Sequence, residues 1–186
     1  YFVKPLIESE EKLGYEVTLV NSLNSKGNQT NSNIAREYIR FDLNLENLLL
    51  LPLSFIKVLI LLKKIKPIYI VSHNIRSSLL PLLAGKLHGG SKLIYFNHGV
   101  SYLGHRGIIR YILKTIEYIN CKIADHIIAV SQHSKQELFK LTKTNISVIN
   151  NGSACGIDLK IFSKKNTFLS DEIKKLKNNS DFLITF

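Results

Sequence analysis

The tripeptide Asn97-His98-Gly99 places residues that can do chemistry at the point where an apolar, strand-like run ends at Phe96. A histidine at such a point can donate a hydrogen bond to a substrate oxygen or titrate near neutral pH. The glycine beside it lets the backbone approach a ligand closely. We therefore predict that His98 lies nearest the chemistry and that Asn97 and Gly99 contact the substrate. The alternative is a histidine that only caps a loop.

A second polar loop follows the apolar run that ends at Val71 and leads into a helical pattern. Free backbone N–H groups at a helix start attract anions, and the Arg76 guanidinium adds a planar set of donors. We predict that His73, Asn74 and Arg76 contact a phosphate or a sugar. The alternative is a solvated turn in which Ser77 caps the helix.

Two further polar loops follow the apolar runs that end at Val130 and Ile149. Ser131 opens the first of these loops, and Asn151 and Gly152 lie in the second. We predict that these three residues also bind the substrate. Together with the preceding loops they give four polar segments, each placed directly after an apolar run.

Short apolar runs alternate with longer helical patterns along the whole chain. Because these runs are apolar throughout, they are typical of parallel strands that are buried on both faces. We predict an α/β fold, a Rossmann-like parallel sheet with flanking helices. In such a sheet ligands bind at the carboxyl ends of the strands, so the four polar loops should share one edge. The segment Ser134 to Glu137 matches a capping box and predicts a helix start.

Composition and charge narrow the class of protein. The chain has 186 residues, of which 45% are hydrophobic and 21% are charged, as in globular domains. Its two cysteines, Cys121 and Cys155, fit neither a metal-ligand spacing nor a disulfide framework, which favours a reducing compartment. The formal net charge of +11 favours an anionic partner such as nucleic acid, anionic lipid or a phosphorylated substrate. The alternative is a genome whose base composition favours lysine codons.

Arg106, Arg110 and Lys114 are spaced at i, i+4 and i+8, so they form one stripe of a predicted helix. The apolar side of that helix is predicted to consist of Ile108, Ile109, Ile112, Leu113, Ile116 and Ile119. A basic amphipathic helix of this kind can lie against an anionic membrane. A packed helix with an ordinary solvated face is the alternative. His105, which precedes the helix, is predicted to be a surface residue.

Three segments occur in an order that is typical of a known family. They are Asn97-His98-Gly99, the run CKIADHIIAVS at 121–131 and the run VINNGSACGIDLKIF at 148–162. With them, the chain resembles the amino-terminal, acceptor-side domain of bacterial family-4 retaining glycosyltransferases of the GT-B fold. These enzymes act in capsule, O-antigen and related surface-glycan biosynthesis. Residues 4–22 also resemble the first helix and second strand of that family, so the resemblance covers nearly the whole chain.

The resemblance implies an activity for the complete enzyme. It would be a hexosyltransferase-type enzyme that moves a sugar from a nucleotide-sugar donor to a lipid-linked or glycan acceptor, with retention of configuration. The resemblance implies no metal and no cofactor, and a cytoplasmic enzyme attached peripherally to the inner face of the cell membrane. His98 would take the place of the family's His-Gly loop, near the transferred sugar, and Arg76 that of a basic residue. Asn151 and Gly152 would approach the interdomain linker.

The resemblance also implies that the chain is truncated at both ends. The family's first strand, which is central in the sheet, would precede Tyr1, and the donor-binding domain would follow Phe186. We therefore predict a partial amino-terminal domain at 1–162, followed at 163–186 by a linker and the start of the missing carboxyl-terminal domain. Such a fragment is expected to be inactive by itself.

Two other functions remain as alternatives. A nucleotide-sugar 2-epimerase of the same fold would need acidic residues in the cleft for proton transfer, and the four loops carry none at their strand ends. A basic nucleic-acid-binding module would interleave basic residues with exposed aromatic side chains on one face. The tyrosines fall mostly in predicted strands and helices, so we predict no nucleic-acid partner.

Overall fold

The computed structural model describes residues 3–22, 37–41 and 51–153, all of which belong to the compact unit Tyr1–Cys155. The strands are β1 (Thr18–Ser22), β2 (Glu37–Phe41), β3 (Tyr69–His73), β4 (Lys92–Asn97), β5 (His126–Ala129) and β6 (Ile146–Val148). The helices are α1 (Val3–Lys12), α2 (Leu51–Ile65), α3 (Ile75–His88), α4 (Gly107–Ile123) and α5 (Gln132–Thr142), with a 3₁₀ helix at Ser101–Gly104.

All pairs of neighbouring strands are parallel. Strands β3, β4, β5 and β6 lie side by side in that order, and β1 pairs with β2. A helix connects each strand of the larger sheet to the next, so the carboxyl ends of all four strands lie at one edge. In register, His73 lies beside Phe96, and Asn97 lies beside Ala129. This architecture confirms the predicted α/β, Rossmann-like parallel sheet with flanking helices.

The predicted domain limits concern positions outside the described residues. The division into 1–162 and 163–186, the absence of a central first strand and the truncation at both ends therefore remain predictions.

The core lies between the larger sheet and its helices. Leu93, Tyr95 and Ile127 of the central strands are almost completely buried. Helix α3 approaches the sheet closely at Gly85, where a Cβ atom would come within 2.6 Å of the Leu93 side chain and 2.8 Å of the Ile70 side chain. A larger residue at this position would therefore force the Leu93 and Ile70 side chains to move.

Two helix starts near this edge differ from the sequence-based expectation. Strand β3 extends to His73, and Asn74 rather than Ser77 is the N-cap of α3. The Ser77 hydroxyl instead donates to the carbonyl of His73 at 2.6 Å. In α5 the N-cap is Ser131, whose Oγ accepts a hydrogen bond from the Ser134 amide at 3.1 Å. The capping box predicted at Ser134 is therefore wrong, because the helix starts before it.

Helix α4 buries a face that matches the predicted apolar side only in part, at Leu113 and Ile116. Its buried residues are Leu113, Glu117, Asn120 and Cys121. Three residues predicted for the apolar side, Ile108, Ile109 and Ile112, are 70%, 51% and 49% exposed. The prediction is wrong at these three positions because two of the four buried residues of α4 are polar, and hydrophobicity alone does not select them. The first half of α4 therefore presents apolar side chains to the outside.

Candidate active site at the carboxyl edge of the sheet

The polar loops after β3, β4, β5 and β6 are in contact with one another, as expected for a parallel sheet. His73 Nδ1 and His98 Nε2 are 3.0 Å apart, which joins the first two loops. The Val130 amide donates to the Asn97 carbonyl at 3.2 Å, which joins the ends of β4 and β5. A Cβ atom on Gly152 would lie 2.7 Å from the Val130 oxygen, so the loop after β6 packs directly onto the end of β5.

The rings of His73, Phe96 and His98 form a group at this edge, with centroids 5.0 to 5.4 Å apart. Burial, and to a smaller extent the neighbouring His98, lowers the pKa of His73 to about 4. Burial also lowers the pKa of His98. Both imidazoles are therefore neutral at pH 7, and one ring N–H donates to the other ring.

The contact between the two rings couples their tautomers. When His98 Nε2 donates to His73 Nδ1, the other nitrogen of His98, Nδ1, is an acceptor. When His98 Nε2 accepts, its Nδ1 carries the hydrogen and is a donor. The direction of this hydrogen bond thus sets which nitrogen of His98 carries its hydrogen.

An open pocket of about 340 Å³ lies beside His98. Its lining residues are Asn74, Ile75, His98, Gly99, Val100, Ser101 and Gly104. The backbone of Asn74 has a φ of 66°, a conformation that costs a non-glycine residue on the order of 1–3 kcal/mol. The Asn74 side chain makes no capping hydrogen bond. Backbone N–H groups in the first turn of α3 have no partner within the helix. The pocket therefore places a neutral imidazole close to the first turn of α3, an arrangement that suits sugar or phosphate oxygens.

A buried polar network that the sequence analysis missed lies beneath the loop after β4. Glu117 is fully buried, and its Oε1 accepts hydrogen bonds from Tyr95 Oη at 2.8 Å and from Asn97 Nδ2 at 3.0 Å. Burial raises the pKa of Glu117 to about 7, although both hydrogen bonds act in the opposite direction. The sequence signal was its position four residues after the buried Leu113, which places Glu117 on the inner face of α4.

A comparison of the sequence with models of protein families identifies the family of the chain. The model of glycosyltransferase family 4 matches residues 3–154. The chain belongs to glycosyltransferase family 4. Enzymes of such a family bind a sugar donor and an acceptor, which is consistent with a polar pocket at the carboxyl edge of the sheet. None of the curated proteins matches the sequence.

The other predicted substrate residues of this family 4 domain lie at the same edge in different settings. Arg76 is exposed in the first turn of α3, and Asn151 is exposed after β6. The Ser131 hydroxyl is engaged in capping α5. Asn97 is only 1% exposed, and its amide bonds to the buried network rather than facing the pocket. Direct contacts of these four residues with a substrate stay predictions.

The predicted basic stripe lies on the outside of the family 4 domain. Arg106 precedes α4 as its N-cap, and it is exposed together with Arg110 and Lys114. Beside them, Ile108 is 70% exposed and Tyr111 is 69% exposed. Among the described residues, no helix is long and apolar enough to cross a membrane. Within the same ranges, no cluster of three or more His, Cys, Asp or Glu residues is placed to hold a metal ion.

Proposed function

We propose that the complete enzyme transfers a sugar from a nucleotide-sugar donor to a lipid-linked or glycan acceptor, with retention of anomeric configuration. The pathway would be the synthesis of capsule, O-antigen or a related surface glycan. The observation that carries the proposal is the pocket beside His98, at the carboxyl edge of a family 4 domain. In this proposal the described residues form the acceptor side of the site.

His98 is proposed as the catalytic residue of this half of the site. Its imidazole borders the pocket, and the lowered pKa keeps it neutral, so it can donate to or accept from a sugar hydroxyl without adding a charge. A hydrogen bond that strengthens as the glycosidic bond breaks lowers the barrier of the transfer. The backbone of Gly99, with a φ of 143°, leaves the neighbouring surface open to the ligand.

The test is a donor screen with the complete enzyme. UDP-glucose, UDP-N-acetylglucosamine and GDP-mannose would be offered with and without undecaprenyl-diphosphate-linked N-acetylglucosamine. We expect acceptor-dependent release of the nucleoside diphosphate from one donor, and an NMR spectrum of the product that shows the donor's anomeric configuration. Formation of an epimerised nucleotide sugar, with no acceptor requirement, would instead establish the epimerase alternative.

Two observations favour transfer over the alternatives. The residues that line the described pocket include no Asp or Glu, whereas an epimerase needs acidic groups for proton transfer. Membership of glycosyltransferase family 4 favours a sugar-binding role over a nucleic-acid-binding one.

We also propose that α4 holds the enzyme on the inner face of the cell membrane from the cytoplasmic side. Exposed cations at Arg106, Arg110 and Lys114 alternate with exposed apolar side chains at Ile108 and Tyr111. Such an arrangement places charges among anionic headgroups while apolar groups enter the boundary of the acyl chains. Each cation near an anionic surface contributes about 1 kcal/mol.

Liposome flotation tests this attachment. Changing Arg106, Arg110 and Lys114 together to Gln should weaken binding to phosphatidylglycerol vesicles by at least tenfold and flatten the salt dependence. The charge-matched control changes Lys64, Lys86 and Lys92, which are also exposed, to Gln. Equal losses in both triple variants would show that only the net charge of the protein matters.

A further inference from the structure

Glu117 is a buried acid that the proposed chemistry does not use. It lies on α4, is completely buried and has two neutral hydrogen-bond partners, Tyr95 and Asn97. Both donate to the same oxygen, Oε1. The second oxygen, Oε2, is also buried and has no hydrogen-bond partner among the described residues. A carboxyl group in such a place is costly, so it calls for a reason beyond packing.

The hydrogen bonds of Asn97 connect this carboxyl group to the loop that carries His98. Asn97 Nδ2 donates to Glu117 Oε1 at 3.0 Å and to the Gly99 carbonyl at 3.2 Å. Asn97 Oδ1 accepts from the Gly99 amide at 3.0 Å. One side chain therefore holds both backbone groups of the residue that follows His98.

The acceptor at Glu117 decides which way the Asn97 amide points. An amide group can rotate by 180° about its last bond, which exchanges its donor and its acceptor. If Asn97 rotated, its oxygen would face Glu117 Oε1, and its NH₂ group would face the Gly99 amide. The first contact would then pair two acceptors, and the second would pair two donors. An acceptor at Glu117 thus excludes the orientation that would release Gly99.

We propose that Glu117 is a positioning residue for sugar transfer: through the Asn97 amide, its buried Oε1 fixes the backbone at Gly99 and so the place of His98 in the pocket. This inference rests on the proposed role of His98. In this proposal Glu117 supports the site from α4, whereas the other residues of the site lie at the edge of the sheet.

The proposed role needs an acceptor oxygen and not a charge. Burial raises the pKa of Glu117 to about 7, so much of the population carries a proton at neutral pH. A proton on Oε2 leaves Oε1 free to accept from Tyr95 and Asn97. Among the described residues, the Glu117 charge raises the pKa of Tyr95, Tyr102 and Cys121, and no cation is among the causes that shift the pKa of Glu117. Glutamine, which keeps one acceptor oxygen, should therefore replace it.

The experiment compares three variants of the complete enzyme, with the donor that is turned over fastest among UDP-glucose, UDP-N-acetylglucosamine and GDP-mannose. Glu117→Leu fills the space but removes the acceptor, and it should lower kcat about 10- to 100-fold with KM changed less than about threefold. Glu117→Gln should restore kcat to within about threefold of the wild type. Cys121→Ala, a buried change on the same face of α4, should lower the Tm without lowering kcat.

Hydrogen–deuterium exchange of the peptide that contains Gly99 gives a readout that is independent of activity. The Gly99 amide should exchange faster in Glu117→Leu than in the wild type, and Glu117→Gln should restore slow exchange. Unchanged exchange in Glu117→Leu would show that Glu117 does not fix the backbone at Gly99. Faster exchange with an unchanged kcat would overturn its role in catalysis.

The same design separates this inference from the proposed function. If the wild type transfers no sugar from any of the three donors, the proposed function fails, and exchange at Gly99 alone decides whether Glu117 holds the loop. If the wild type is active and Glu117→Leu loses kcat only in proportion to its loss of folded protein, the residue is structural and the positioning role is wrong.

Discussion

The stability of the folded protein should depend on pH through Glu117 in a direction that the structure fixes. Its pKa is about 7 in the folded chain, against 4.5 for a free carboxyl group. Between these values the folded state binds more protons than the unfolded state, so the free energy of unfolding falls as pH rises. A pKa difference of this size corresponds to about 3 kcal/mol between pH 4.5 and pH 7 or above.

Glu117→Gln removes the titration and keeps the acceptor oxygen. The free energy of unfolding of the variant should therefore rise relative to that of the wild type by about 2.5 kcal/mol between pH 5 and pH 8. Urea unfolding at pH 5, 6, 7 and 8 measures the difference. The matched control is Glu137→Gln, because the pKa of Glu137 is lowered by its hydrogen bond to Lys140 and it stays ionised over this range.

Parallel stability curves for the wild type and Glu117→Gln from pH 5 to pH 8 would refute this reasoning. They would mean that water or a cation reaches the carboxylate, so that it titrates as an ordinary surface group. An equal rise in the free energy of unfolding of Glu137→Gln would instead show that only the net charge of the protein matters.

Three further predictions concern the same edge of the sheet. Gly152→Ala should destabilise the protein by about 1–3 kcal/mol in urea unfolding, because φ is 90° and the new Cβ meets the Val130 oxygen at 2.7 Å. Gly104→Ala, with nothing within 4 Å of its Cβ, should change stability by less than about 0.5 kcal/mol. His73 has a pKa of about 4 instead of 6.5, so about 3 kcal/mol of stability should be lost as pH falls through this interval, and His73→Gln should abolish that loss in Tm measurements.

The sequence predicted the architecture because short, mostly apolar runs, which form β3 to β6, alternate with longer helical patterns. Such an alternation favours parallel pairing, although β3 and β5 alternate between buried and less buried positions and are not buried equally on both faces. The position of the site followed from the same argument, since polar residues follow each strand at its carboxyl end. The contact between His73 and His98 could not be predicted, because it depends on the register of β3 and β4 and on the rotation of both rings.

The supporting layer of the site escaped prediction for a different reason. Glu117 and Asn120 occupy the inner face of α4, where a hydrophobicity pattern calls for apolar residues. The pattern therefore assigned Ile108 and Ile112 to the packed side, although both are exposed. A buried acid is recognised only when its partners are known, and Glu117 has partners from β4, which lies twenty residues earlier in the chain.

The observed helix starts differ from the predicted ones where two candidate N-cap residues lie close together. Ser131 and Ser134 are both suited to an N-cap, and the structure uses the first because β5 ends two residues before it. Likewise, β3 runs on to His73, which leaves Asn74 as the N-cap of α3. The local sequence offers both choices, and the length of the preceding strand decides between them.

The central claim is that His98 acts in sugar transfer, and the turnover number of His98→Ala tests it most directly. In the complete enzyme this change should lower kcat about 100-fold, the scale of one positioned catalytic group, with a smaller effect on KM. The control is His105→Ala, since His105 bonds to the Ser101 carbonyl at 2.9 Å and does not line the pocket. We expect this control to keep its kcat within about threefold. Full kcat in His98→Ala, or a loss confined to His105→Ala, would contradict the account.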